Sequence, residues 1–433
     1  MKIAIASDIY YPMTNGVAVF SHNLALGLAK RGHEVMVICP SFDGEYHVEN
    51  EQGVKTVHLT SAKFPFYPDQ INEVPKQKEF LGMPVPRLAY KNGIWWSTRA
   101  LSEVKRALDE FQPDVIHLQT AETIAIAVMH YVRKNNTPLV TTGHAYPDNV
   151  TGQFKFLKPV KKPVDAAVRA YMASFLKYSE YATMPTEMAI NDLVPKNRKR
   201  FRVSVEALSN GVDLSAFNPG KPKAEVVKKY GIDLSKPRVL YVGRVDPEKS
   251  IEKVVEAFAA AAKKVPDAEF LIVGDGIAKP GLEKLVAETN LLDKVRFLGR
   301  VMPPELQEIY KTGTVFATAS KTETQGIVLI EAAATGLPLI AVDAGAVREL
   351  CQNKRNGILC KPDNVAQLNR AMVKILTDKV LQEKYSASSI DVAKKHDINH
   401  TLSRFEEIYQ KAISLTPSET SWFALQLCLG SRN

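Results

Sequence analysis

SKTETQGIVLIEAAATG, residues 320–336, sets Glu323 and Glu331 eight positions apart, with Gln325 and Gly326 just after the first. The Ser, Thr, Gln and Gly around Glu323 read as a loop. IVLIEAAA then carries a carboxylate inside an apolar run that Gly336 ends, which reads as a helix closed by a C-terminal glycine. Upstream, VFATAS reads as a short buried strand; downstream, PLIAVDAG reads as another. A strand, a loop, a helix and a second apolar strand make one βαβ unit of a parallel sheet.

The same alternation runs outward in both directions. KIAIAS, EVMVICP, VKTVHL, DVIHLQ, PLVTTG and YATMP are strand-like in the first half. RVLYVGRV, EFLIVGDG, VRFLGRV, VFATAS, PLIAVDAG and GILC follow in the second, with helical periodicity between them. Near-continuous apolar strands alternating with helices predict parallel sheets covered on both faces, with ligands outside the carboxyl ends of the strands. At 433 residues the chain exceeds what one core sustains, so two domains are expected. SNGVDLSAFNPGKP, residues 209–222, is dense in Gly, Pro, Asn and Asp and predicts the joint, giving domains 1–208 and 209–395. Residues 60–98 carry Pro and aromatics with little periodicity, a long excursion in which Trp95 and Trp96 read as core or hinge packing. Residues 416–433 show no readable motif.

Composition excludes several classes. The hydrophobic fraction of 45% and charged fraction of 24% are those of an ordinary globular protein. No apolar run is long enough to span a bilayer, and Asp8 interrupts the first apolar stretch, which therefore reads as a buried strand rather than a leader. Four scattered cysteines form neither a disulfide framework nor a zinc pattern, as expected of a reducing cytoplasm. The net charge of +9 is concentrated: residues 151–202 hold eleven Lys or Arg against four Asp or Glu, which predicts an anionic partner.

Two stretches carry candidate chemistry. In YVGRVDPEKS, residues 241–250, Gly243 and Arg244 end a strand and Lys249 opens the next helix. Cations beside a helix N-terminus form an anion site; the plainer alternative is a solvated turn. No D-x-D pair exists to bridge a metal, so the expected neutralisation of a diphosphate is by side chains and helix dipole, with no metal or other cofactor. In the opening stretch, a carboxylate can accept hydrogen bonds from two vicinal hydroxyls, as ribose is commonly held, and Gly326 permits close backbone approach. The alternatives are a plain turn residue at Glu323 and an exposed helix position at Glu331.

Taken together, these motifs resemble the family-4 glycosyltransferases, the retaining, nucleotide-sugar-dependent group of GT-B fold. The resemblance runs over nearly the whole chain: PMTNGVAVF, RGHEVMVI, PDVIHLQT, TTGHAYPD, MPTE, LSNGVDLSAFNP, VGRVDPEKS, LIVGDG, VRFLGRV, the paired glutamates, AATGLPLIAVDAG and NGILC, in that order. It implies an α/β architecture of two Rossmann-like doubly wound domains facing an interdomain cleft, with the helix at 396–415 packing back on the first domain. Arg244 and Lys249 would hold the donor diphosphate, with Gly243 beside them and Gly16 forming a glycine loop under it. Glu331 would bind the ribose hydroxyls and Glu323 the donor sugar, that wall continuing through the backbone amides of Gln325, Gly326 and Ile327. Backbone around Arg300 and Val301 would meet the nucleobase, and His144 would stand near sugar and acceptor. The family is discussed in terms of front-face attack, so Glu323 is not read as a nucleophile. Departures exist: Ala319-Ser320, Gln325-Gly326 and Lys249-Ser250 stand where the family often has Pro-Ser, Phe-Gly and Lys-Gly. The TETQG form is similar to that of enzymes that glycosylate diacylglycerol.

The acceptor is sought in KFLKPVKKPVDAAVRAYMASFLKY, residues 155–178. Val164, Ala167, Val168, Tyr171, Met172, Phe175 and Leu176 fall on one helical face, flanked by Lys158, Lys161, Lys162, Arg169 and Lys177. Phe64, Phe66 and Tyr67 could join that surface. A basic amphipathic helix can lie on an anionic membrane or present its apolar face to the core. The resemblance favours the membrane: a peripheral enzyme on the cytoplasmic face, moving hexose from UDP-glucose to a lipid such as diacylglycerol. Its rivals are a soluble glycan or small-molecule acceptor, a GDP-mannose-dependent mannosyltransferase and a GT-B epimerase. A nucleic-acid-binding module would be a different class; no nucleic-acid partner is expected.

Overall fold

The computed structural model describes residues 1–13, 15–63, 79–80, 83–84, 95–144, 161–194 and 203–415. The chain forms two compact units: the first comprises Met1–Asp69, Pro86–Ser209 and His400–Asn433, the second Gln70–Val85 and Asn210–Asn399.

In the first unit one sheet contains β1 (Lys2–Ala6), β2 (Glu34–Pro40), β3 (His47–Glu51), β4 (Val54–Leu59), β5 (Val115–Leu118), β6 (Leu139–Thr142), β7 (Tyr181–Met184) and β8 (Ser204–Ala207). Their order is β8-β7-β6-β5-β1-β2-β4-β3, with every pair parallel except the β3–β4 hairpin. The edge strands HVENE and SVEA escaped the apolar reading because an edge is half-solvated and needs little apolar side chain. Trp96 corrects the packing expectation: it is 41% exposed, on the short strand Trp95–Ser97 paired with Ser61–Lys63.

The second unit's sheet contains β9 (Arg238–Val242), β10 (Glu269–Val273), β11 (Val295–Gly299), β12 (Val315–Ala317), β13 (Leu339–Val342) and β14 (Gly357–Cys360). All pairs are parallel, in the order β11-β10-β9-β12-β13-β14. Strands β9, β10, β12 and β13 are buried along their whole length, which is why they read as unbroken apolar runs.

One charge lies inside that core. Arg238 opens β9 with 1% exposure, in register with Glu269 at the start of β10. Its guanidinium donates to Glu269 Oε2 at 3.0 Å and to the carbonyls of Thr312 and Asp233 at 2.8 and 2.7 Å. Breaking a buried pair leaves the surviving charge uncompensated. Glu269→Ala should therefore cost the second unit about 3 kcal/mol, the low end of the usual cost because two carbonyl acceptors remain. The check is a urea midpoint, and an unchanged midpoint would contradict it.

The helix Ile398–Ser414 lies against the first sheet, burying Leu402, Phe405, Ile408, Tyr409 and Ala412 at three- and four-residue steps. Glu406 meets Arg31 at 2.7 Å and His33 at 2.8 Å, Arg404 meets Glu206 at 2.7 Å, and Tyr409 shares a 2.7 Å hydrogen bond with His117. Gly27 makes room: a Cβ there would stand 2.6 Å from Leu402.

Candidate active site

In the second sheet the crossovers run outward from β9 on one side and through β12 on the other, so the topology reverses between these two neighbours. Ligands of doubly wound sheets bind at such reversals, outside the strands' carboxyl ends. Both stretches with candidate chemistry leave the sheet there, one after β9 and one after β12.

After β9, Gly243 and Arg244 lead into a short 3-10 turn, Pro247–Lys249, and then the helix Ile251–Ala262. After β12, Glu323 sits in the loop before the helix Ile327–Ala334. Gly326 caps this helix at φ 84°, a left-handed conformation open to glycine, and its first amides lack acceptors within the helix.

Packing joins the two loops. Lys249 Nζ donates to Glu323 Oε1 at 2.6 Å, each side chain 16% exposed. Burial would raise the Glu323 carboxyl, but the Lys249 ammonium, with Arg244 further off, holds it below the ordinary carboxylate value. Arg244 pairs with Asp246 and with Glu248. Glu331 is half-buried in its helix and accepts a 2.6 Å hydrogen bond from the Tyr310 hydroxyl. Burial pushes its carboxyl up to about 7 against that donor.

The other predicted donor residues fall on the same rim or on the first sheet. Arg300 and Val301 follow β11 at the sheet's edge, Val301 with its side chain in the core. Gln325 is buried and its amide oxygen accepts from the backbone N–H of Asn210 at 3.2 Å, so its side chain secures the loop. Gly16 is the first residue of the helix Gly16–Lys30, whose start is capped by Asn15.

The first sheet repeats the design: its topology reverses between β1 and β5. His144 follows β6 and donates through Nε2 to Gln119 Oε1 at 2.7 Å, while burial pushes its imidazole down to about 3. The ring is therefore neutral, with Nδ1 as its acceptor. Asp8, just past β1, is buried and accepts from the Thr120 and Thr123 hydroxyls and the Ile124 amide. Beside it, burial and the Asp8 carboxyl push Glu122 up to about 8. Gln119 Nε2 and Glu122 Oε2 have no hydrogen-bond partner among the described residues. Sequence reading missed Asp8, Gln119 and Glu122; the usable signal was their place immediately after two strands.

The basic helix requires a correction. Phe175 is 6% exposed and packs in the core of the first unit, as does Leu176 at 1%. Phe175 thus belongs to the interior, because the carboxyl half of the helix Lys161–Lys177 lies on the sheet. Arg169 pairs with Asp192 at 3.0 Å. Tyr171 is 46% exposed and donates to the Ala121 carbonyl at 2.9 Å; Lys162 is exposed. Lys158, the Lys161 side chain, Phe64, Phe66 and Tyr67 lie outside the described residues.

Residues 14–216 match the family model described as Glycosyltransferase Family 4, and residues 222–392 match Glycosyl transferases group 1. The chain belongs to glycosyltransferase family 4. Its fold is GT-B, built from two Rossmann-like units. It is 28% identical to a GDP-mannose-dependent alpha-mannosyltransferase of Mycobacterium tuberculosis, covering 85% of this chain and 88% of the relative. It is also 28% identical to an alpha-monoglucosyldiacylglycerol synthase of Acholeplasma laidlawii, covering 83% and 84%. In fold it is similar to sucrose-phosphate synthase from Thermosynechococcus elongatus, with TM-score 0.75, 20% identity, and 98% and 100% coverage. No helix among the described residues of this glycosyltransferase is long and apolar enough to cross a membrane.

Proposed function

We propose that this glycosyltransferase moves a hexose, with retention, from a nucleoside-diphosphate sugar to the hydroxyl of a membrane lipid such as diacylglycerol. UDP-glucose is the donor proposed. The reading rests above all on the Lys249–Glu323 pair at the reversal of the second sheet, with Arg244, Gly326 and Glu331 on the same rim.

Departure of the leaving group builds negative charge on the diphosphate, and cations and amides already in place stabilise that charge most. Arg244 and Lys249 supply the cations, and the helix starting at Ile327 supplies amides; no divalent ion is required for donor binding. Glu331 accepts the ribose hydroxyls. Glu323, already engaged by Lys249, positions the sugar and does not attack it. The departing phosphate takes the acceptor's proton.

The lipid acceptor is supported by the relatives named as diacylglycerol glucosyltransferring synthases and by the local charge of residues 151–202. Membrane contact would be peripheral, on the cytoplasmic face, through Lys162, Tyr171 and their basic surroundings. Anionic vesicles should carry the enzyme in flotation at low salt and release it at high salt, and Lys162→Glu should weaken binding about fivefold. No flotation in either condition would remove the membrane reading.

A second reading, GDP-mannose as donor, is favoured by the mycobacterial relative. Product analysis with UDP-glucose and GDP-mannose, each against diacylglycerol and a soluble glycan, separates the readings. Turnover with GDP-mannose alone would overturn the UDP-glucose assignment.

A further inference from the structure

The outer edge of the first sheet holds a group of side chains unrelated to sugar transfer. His47 on edge strand β3 stands directly opposite His58 on β4, and Glu49 follows two residues after His47 on the same face. On the other side of β4, Cys39 of β2 is in register with His58. Sheet register, not sequence spacing, therefore puts Cys39, His58 and His47 in one row across three strands.

Each histidine has one nitrogen engaged and the other turned to the same carboxylate. His47 Nδ1 lies 3.1 Å from the Glu45 carbonyl, and His58 Nδ1 lies 3.5 Å from Cys39 Sγ. His47 Nε2 is 3.6 Å from Glu49 Oε1, and His58 Nε2 is 3.5 Å from Glu49 Oε2. His58 is 9% exposed, and its Nε2 has no hydrogen-bond partner among the described residues. One ligand atom from each of the three residues lies within 4.8 Å of the others.

We propose that His47, Glu49 and His58 form a binding site for one divalent transition-metal ion, zinc being the best match. Two imidazoles and a carboxylate suit a borderline cation. Ligands about 2.0–2.1 Å from tetrahedral zinc stand roughly 3.3 Å apart, close to the 3.5 and 3.6 Å histidine–glutamate separations. The two imidazoles are stacked 4.3 Å apart with 13° between their planes, so binding requires the exposed His47 ring to turn toward His58. The fourth position faces solvent, since the Glu49 side chain is 58% exposed. Glu45 and Cys39 hold the Nδ1 atoms and so direct both Nε2 lone pairs outward, the usual second support of a histidine ligand. The metal pins the charged edge strand β3 to β4, a structural clamp at the outer edge of the first sheet.

The test uses the full chain, stripped with EDTA and exchanged into metal-free buffer, titrated with zinc chloride by calorimetry and with cobalt chloride by visible absorption. One zinc per chain is expected, with a rise in Tm and the intense bands of four-coordinate cobalt. His47→Ala and His58→Ala should each weaken zinc binding at least tenfold, and Cys39→Ala, which removes only the support, about tenfold. His47 is the more exposed of the two histidines, so its variant should keep the metal-free Tm and protects the test against misfolding. Absence of stoichiometric binding, or binding unchanged in both histidine variants, would overturn the site.

Discussion

Lys249→Ala should lower kcat/KM by about 10³ or more, roughly 4 kcal/mol of transition-state stabilisation. In the proposed mechanism the ammonium serves two partners in succession. Without donor it neutralises Glu323 at 2.6 Å across two adjoining loops, each side chain 16% exposed. With donor it meets the diphosphate, where charge builds as the sugar leaves. Loss of the cation therefore removes stabilisation and strands a largely buried carboxylate. Burial, no longer offset, should raise the Glu323 pKa. Two readouts separate these effects. The double variant Lys249→Ala/Glu323→Gln should recover the Tm lost by Lys249→Ala and recover none of the rate. Initial rates near those of the unsubstituted enzyme would contradict the assignment of Lys249 to the leaving group.

Glu331→Gln should divide stability from activity in opposite directions. Burial pushes the Glu331 carboxyl up to about 7, above its ordinary value of 4.5. Between those values the folded chain binds a proton that the unfolded chain has released. Stability contributed by this group is therefore lost as pH rises from the lower value through the higher. Above that window the ionised carboxylate is a burden of about 1–3 kcal/mol that glutamine lacks. The amide oxygen can still accept from Tyr310. Glu331→Gln should thus raise the Tm at pH 8 while lowering kcat/KM by about 10²–10³, because an amide offers one acceptor where two hydroxyls need it. In the unsubstituted enzyme, kcat/KM should fall as pH drops through about 7, the carboxyl becoming protonated. A Tm at pH 8 lowered by the substitution would contradict the burial cost at Glu331, and donor kinetics unchanged by it would show that Glu331 faces no ribose.

Family membership changes what these outcomes decide. The fold and the transfer chemistry are common property of a large group, so the donor rim is the conservative part of the reading. In the proposed reading acceptor choice rests on the first unit, where burial of Phe175 reduces the proposed membrane surface to Lys162 and Tyr171 among the described residues. Asp8, Gln119 and Glu122 add a polar rim there, where Gln119 Nε2 and Glu122 Oε2 have no hydrogen-bond partner among the described residues.

By itself the sequence determined the parallel inner strands of both sheets and the loops that carry the candidate donor chemistry. Strands buried on both faces are apolar nearly throughout, and glycine is favoured where the backbone turns left-handed, as at Gly326. Both are local requirements, so RVLYVGR and IVLIEAAATG could be read from composition and spacing alone. Tertiary structure decided who meets whom. Lys249 and Glu323 are 74 residues apart, Tyr310 and Glu331 are 21 apart, and the His47–His58 pair depends on hairpin register. Apolar periodicity likewise showed that one face of the helix at 161–177 needed covering, and it could not say whether by lipid or by a sheet. The physical reason is common to all of these: a pattern along the chain records that a group needs a partner, and only packing brings the partner to it.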